Sequence, residues 1–301
     1  MVNKQANRHK AELQGCFWGS VNRWECDEND HLNVRFYAQK MNQALQVFLL
    51  QRNLVPDAEP DAALQRIRVQ HIRFLREARI ATPLRIDCGI ARTGEAELDI
   101  LQLMVDNVTD IPVAAFVTTV DTNGWQIGQE AEVPVPVEAA PRGLDPASSH
   151  SVPSSREEAA ALGFQIVGAG IIGPEECAAA GFFLPHNYIG RVSDGMPNLW
   201  AFLNSDADSQ ARQSGAQGGA ALEYRLRIHA PLRHGSIFCH LSGIRSLGSK
   251  TQNMAHVVID ETAGRCAATA EAVGVAMDLA TRRAVPISEE RRQRLERLMI
   301  R

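Results

Sequence analysis

The 301-residue sequence has no run approaching the roughly 18 consecutive apolar residues of a membrane-spanning helix, so no membrane partner is expected. Met1 to Lys10 is polar and lacks the apolar segment of a signal peptide, which points to the cytoplasm. There is no long basic run, and 31 Lys and Arg stand against 35 Asp and Glu for a net charge of −4. That balance argues against nucleic acid and anionic membrane surfaces as partners. The six cysteines (Cys16, Cys26, Cys88, Cys177, Cys239 and Cys266) contain no C-x-x-C pair. Free thiols are therefore expected rather than a disulfide framework or a structural zinc. No His, Cys, Asp and Glu cluster has metal-ligand spacing, so no metal is expected. Gly215-Ala216-Gln217-Gly218-Gly219 lacks the strand-to-helix setting of a nucleotide loop and reads as a flexible connection. No cofactor is implied.

What the chain does have is Asp27-Glu28-Asn29-Asp30-His31-Leu32-Asn33 and a helical pattern behind it. Val34, Tyr37, Ala38, Met41, Ala44, Leu45 and Phe48 recur at three- and four-residue spacing, the stripe of a helix with one buried face. Asn33 can cap that helix, which turns the N–H groups of its first turn toward the Asp27–His31 loop. An acid, an amide and an imidazole thus meet the positive end of a buried helix, a setting that can hold and polarise a carbonyl.

Residues 16–26 read as an opening strand, the helix covers 33–52 with Pro56 and Pro60 beyond it, and four strands follow at 65–76, 83–92, 96–107 and 111–121. A proline- and serine-rich stretch, with Pro134, Pro136, Pro141, Pro146, Ser148, Ser149, Ser151 and Pro153, then reads as a linker. The first pattern returns after it. A strand at 164–172, a helix at about 188–203 and strands at 220–229, 235–246, 251–261 and 265–277 precede a charged tail helix, Ser288 to Arg301, with Leu295 and Leu298 on one side. The halves read as diverged copies. Setting His31 against His186 places Met41 opposite Met196, Ala44 opposite Leu199 and Leu45 opposite Trp200. Pro197 then requires a kink or a later helix start. The fold class is α+β, with domains at 1–133 and 156–301 and a linker at 134–155, each domain a long helix wrapped by an antiparallel sheet.

The stretch Trp24 to Asn33 resembles the D-x-N-x-H-x-N motif of hotdog-fold thioesterases, the acyl-ACP and 4-hydroxybenzoyl-CoA types included. The resemblance implies two tandem hotdog domains forming an intrachain double hotdog, the second degenerate because Phe182-Phe183-Leu184 stand before its His. It implies an acyl thioesterase of fatty acid metabolism, acting on an acyl-CoA or acyl-carrier-protein thioester. Asp27 matches the family's nucleophile or water-activating base. Asn29 and His31 match the amide and imidazole that position the acyl group and water. A further cysteine or glutamate described for acyl-ACP enzymes has no assignable counterpart here.

Chemically, hydrolysis needs a base or nucleophile, a donor to the developing oxyanion and little competing water. Asp27 can supply the first and the N–H groups around Asn33, Val34 and Arg35 the second, with Tyr37 as a further substrate contact; the resemblance adds Asp194 of the second helix, since some hotdog enzymes carry their carboxylate on the helix of the neighbouring unit. Arg73, Arg76 and Arg79 can meet pantetheine-arm or CoA phosphates. The rivals are a hotdog enoyl-thioester hydratase or dehydratase, whose motif is D-x-N-x-x-H, and a non-catalytic acyl-thioester-binding protein. The tandem copies either suffice as a monomer or pair again as a homo-oligomer.

Overall fold

The computed structural model describes residues 13–55, 61–128, 130–144, 152–203 and 217–301. Met1 to Lys10, Pro56, Pro60, Pro146, Ser148, Ser149, Ser151, Gly215 and Ala216, all used in the sequence reading, lie outside the described residues. The chain divides into two compact units, Met1–Pro141 with Leu184–His186, and Arg142–Phe183 with Asn187–Arg301.

The first unit runs β1 (Gln14–Ser20), a 3-10 turn (Arg23–Glu25), α1 (Val34–Gln51), α2 (Ala62–Gln65), β2 (Ile67–Phe74), β3 (Pro83–Thr93), β4 (Glu97–Asp106) and β5 (Pro112–Asp121). The strands form an antiparallel sheet in the order β1-β3-β4-β5-β2. α1 buries Tyr37, Ala38, Met41, Ala44, Leu45 and Phe48, the stripe the spacing predicts. Its end is a Schellman motif: the Asn53 N–H donates to Leu50 O at 3.0 Å and the Leu54 N–H to Leu49 O at 3.0 Å, with Asn53 at φ 53°. Asparagine tolerates that left-handed turn, and the buried Leu54 then packs back toward the helix. The opening strand is shorter than 16–26. Asn22 and Glu25 close the 3-10 turn reciprocally: the Asn22 N–H donates to Glu25 Oε2 at 2.8 Å and the Glu25 N–H to Asn22 O at 3.1 Å. The proline-rich stretch begins as packed chain, because Val133 and Ala139 are buried against Leu101 and Ala115 on the outer face of this sheet. Arg73 Nη1 donates to Ala140 O at 2.6 Å.

The second unit runs α3 (Arg156–Ala161), β6 (Gln165–Ile171), a 3-10 turn (Pro174–Glu176), α4 (Pro185–Ala201), β7 (Gln217–Ile228), β8 (Ile237–Leu247), β9 (Thr251–Asp260), β10 (Arg265–Asp278), β11 (Arg283–Ala284) and α5 (Glu289–Glu296). Its strand order is β6-β8-β9-β10-β7, with β11 on β10, so the first sheet's order is repeated. α4 passes through Pro197 and begins earlier than expected, with Pro185 at the first helical position where its missing N–H costs nothing. Leu295 and Leu298 are buried, and the tail is tied to β8: the Ile244 N–H donates to Leu298 O at 2.8 Å and the Ile300 N–H to Ile244 O at 2.9 Å.

The copies match in detail, but not with His31 opposite His186. Cys26 bridges Leu32 and Cys177 bridges Phe183; His31 bridges Arg79 and Phe182 bridges Arg233. Glu25 pairs with Lys40 and Glu176 with Arg191. The Tyr37 hydroxyl accepts the Ala78 N–H at 3.0 Å, and the Tyr188 hydroxyl accepts that of Leu232 at 2.9 Å. Phe182 therefore stands at the position of His31, Ala178 at Asp27, Ala180 at Asn29 and Leu184 at Asn33, whereas His186 occupies that of Arg35. The sequence pairing slipped by four residues. That is close to one helical turn, which leaves an apolar stripe nearly superposed on itself. In the true register Gly195 replaces Ala44, and a Cβ there would lie 3.0 Å from the His240 ring.

Candidate active site

The Asp27–His31 loop is built by the backbone first. The Asp27 N–H donates to His31 O at 2.9 Å and the Asp30 N–H to Asp27 O at 3.1 Å, with Asp30 in the left-handed region at φ 59°. Aspartate is among the residues that adopt this conformation at least cost. The Leu32 N–H donates to Ala78 O at 2.8 Å and the Asn33 N–H to Glu25 O at 2.9 Å, so the loop is clamped between the 76–79 segment and the 3-10 turn.

The carboxylate of Asp27 is held on both oxygens. Oδ1 accepts the Asn29 N–H at 2.9 Å, and Oδ2 lies 3.1 Å from His31 Nδ1, with both side chains 14% exposed. Burial pushes the Asp27 carboxyl above the ordinary aspartate value, although the neighbouring His31 and the Asn29 N–H pull it down. Asn29 is buried at 7% exposure. Asp27, Asn29 and His31 are thus brought together within one five-residue loop.

Asn33 caps α1, its side-chain oxygen accepting the Arg35 N–H at 2.9 Å. Of the three N–H groups expected to face a carbonyl, those of Asn33 and Arg35 are therefore engaged, and among the described residues no such bond engages Val34. Val34 and Arg35 are half-buried. Tyr37 is buried, its hydroxyl donating to Arg76 O at 3.2 Å as well as accepting from Ala78, with its ring edge-on to Phe74. Because Tyr188 repeats that clamp where the acid is missing, Tyr37 serves the loop's framework. Asp194 lies on the exposed side of α4. Of the three arginines, Arg73 is bonded to Ala140 O and Arg79 pairs with Glu77 at 3.4 Å. His186 is buried, and that burial pushes its imidazole down to about 4.

One contributor was not singled out from the sequence. Lys40 Nζ meets Glu25 Oε1 at 2.7 Å with both side chains about a tenth exposed, and this ion pair fixes the 3-10 turn against α1. The signal was Lys40 itself, a charge in the middle of the apolar stripe. Among the described residues no three His, Cys, Asp or Glu side chains come together as a metal site, and no helix is long and apolar enough to cross a membrane. All six cysteines are free thiols.

Residues 21–140 match the family described as the thioesterase-like superfamily. That segment covers about two fifths of the chain and carries Asp27, Asn29 and His31. No curated protein matches the chain by sequence. Among solved structures the fold is similar to a protein assigned as an oleoyl thioesterase from Lactobacillus plantarum (TM-score 0.61, 10% identity, 88% of this chain and 97% of that one). It is similar also to an acyl-ACP thioesterase from Bacteroides thetaiotaomicron (0.60, 8%, 88% and 99%). A third is a 12:0-ACP thioesterase from Umbellularia californica (0.59, 10%, 88% and 94%). The architecture is thus a double hotdog, two tandem units of helix and antiparallel sheet.

Proposed function

We propose that the protein hydrolyses an acyl-CoA or acyl-carrier-protein thioester at the Asp27–His31 loop, releasing a carboxylic acid and a free thiol. The observation that carries this reading is the half-buried Asp27 carboxylate, held by the Asn29 N–H and His31 beside the N-terminus of α1. With the thioester carbonyl at the Val34 N–H, the helix dipole favours the charge that develops on its oxygen. Asp27 takes a proton from water, and the water oxygen attacks the carbonyl carbon. The tetrahedral intermediate collapses with cleavage of the C–S bond, and the proton leaves with the thiolate. Burial, which raises the carboxyl, makes Asp27 a better base than an exposed aspartate. Asn29 and His31 orient water and acyl group, and Arg35 contacts the substrate beyond the carbonyl.

The Asp27–His31 contact also supports a second division of labour. An ionised Asp27 holds the Nδ1 proton of His31, which leaves Nε2 as acceptor of the water proton. Single turnover in ¹⁸O-water tests for direct attack: a mixed anhydride that water opens at the Asp27 carboxyl leaves the label in that carboxylate and an unlabelled oxygen in the acid, whereas water activation puts the label into the acid. His31→Gln separates the remaining two. A loss of about tenfold fits an orienting imidazole, and one of about a thousandfold fits His31 as base.

A further inference from the structure

Beneath α1 the interior of the first unit is not apolar throughout. Asn42 of α1, Gln70 of β2, Gln102 of β4 and Thr118 of β5 are each at most 2% exposed and form one hydrogen-bonded chain. Gln70 Nε2 donates to Asn42 Oδ1 at 2.8 Å and to Thr118 Oγ1 at 3.4 Å. Thr118 Oγ1 donates to Gln102 Oε1 at 2.9 Å, and Gln102 Nε2 donates to Met41 O at 2.6 Å. The chain leaves the helix at Asn42 and returns to it at Met41, crossing the three strands in between. Among the described residues, Asn42 Nδ2 and Gln70 Oε1 have no partner.

The fold does not require this arrangement. In the second unit the strand register puts Tyr224 at the position of Gln70 and Ala272 at that of Thr118, and the chain of four is not repeated. It belongs to the unit that carries Asp27.

Resting on the thioesterase reading, we propose that Asn42, Gln70, Gln102 and Thr118 set the upper limit on acyl length and make the substrates short-chain acyl thioesters. An acyl tail running beneath α1 from the Val34 N–H meets the network about 12 Å along the helix. To pass, it must break the bonds that tie helix to sheet. An apolar tail offers neither an acceptor to Asn42 Nδ2 nor a donor to Gln70 Oε1, so it recovers nothing for the bonds it breaks. Acyl groups that stop short of the network leave it intact.

The test is binding, so that it does not depend on turnover. Calorimetric titration with non-hydrolysable CoA thioethers, hexyl and hexadecyl, is run on the wild-type protein and on Gln70→Ala, with Gln70→Asn as the milder truncation should the alanine variant not fold. The wild type binds hexyl-CoA about tenfold or more tighter than hexadecyl-CoA, and truncation at Gln70 brings the two within about threefold. Hexadecyl-CoA bound as tightly as hexyl-CoA by the wild type overturns the proposal, as does a preference that truncation leaves unchanged. Thiol release from hexanoyl-CoA, followed in parallel, reports on hydrolysis separately. Length-limited binding without thiol release overturns the hydrolase reading and leaves the length limit standing.

Discussion

Asp27 Oδ2 lies 3.1 Å from His31 Nδ1, while Oδ1 of the same carboxylate accepts the Asn29 N–H at 2.9 Å. The carboxylate is the shared node of the loop, and its protonation state governs the chemistry proposed for it. Since burial raises the Asp27 carboxyl, the acid limb of kcat/KM is expected above the ordinary aspartate value of about 3.9. Activity is present above that limb and lost as the pH falls through it. A pH–rate profile of His31→Gln checks the assignment: the limb persists in that variant if Asp27 is the base and disappears if the imidazole is.

Lys40 and Glu25 form the buried pair that fixes the 3-10 turn to α1. Removing one charge strands the other, so Lys40→Met is expected to cost about 3–5 kcal/mol. The double variant Glu25→Gln, Lys40→Met is expected to recover most of the loss. Urea unfolding of the three variants measures it, and a double variant no more stable than the single one contradicts the pairing argument.

Asn33 caps α1 through its bond to the Arg35 N–H. Asn33→Ala is expected to destabilise the first unit by about 1 kcal/mol, and Asn33→Ser by less, because serine also caps. Thermal unfolding of the pair reads the difference.

In the second unit Ser242 Oγ lies 2.7 Å from His256 Nδ1 and 3.2 Å from His240 Nε2, all three side chains buried. Burial pushes His240 down to about 4, and His256 is pushed down as well by burial and by its histidine neighbour. The unfolded chain therefore binds more protons than the folded one below about pH 6.5. Stability is undiminished above that pH and falls as the pH drops toward 4, by roughly 3 kcal/mol for His240. His256→Gln carries the residue found at the matching position in the first unit, Gln102. It is expected to flatten the dependence of the urea midpoint on pH between 7 and 5.

Much of this was legible in the residues. The stripe from Tyr37 to Phe48 gave α1 because a one-sided helix buries every third or fourth residue. The Asp27-x-Asn29-x-His31 loop was readable because its members are close in sequence. The register of the repeat was not, since a slip of four residues costs a helical pattern almost nothing. The landmarks that fix it, the Tyr37 and Tyr188 hydroxyl clamps and the Glu25–Lys40 and Glu176–Arg191 pairs, are contacts across sequence. The inward placement of Gln70, Gln102 and Thr118 is not legible in the sequence for a related reason. Alternation along a strand assigns polar residues to the solvent face, whereas these three point inward with Ile100, Met104, Phe116 and Val120.

The central claim is that Asp27 drives thioester hydrolysis, and thiol release from a panel of acyl-CoAs tests it most directly. Wild type and Asp27→Asn are compared under the same conditions, with folding of the variant checked by thermal unfolding. The expected result is thiol release by the wild type and a fall of about a thousandfold in the variant. A folded Asp27→Asn protein that works within about threefold of the wild-type rate, or a wild type that releases no thiol from any member of the panel, contradicts the account.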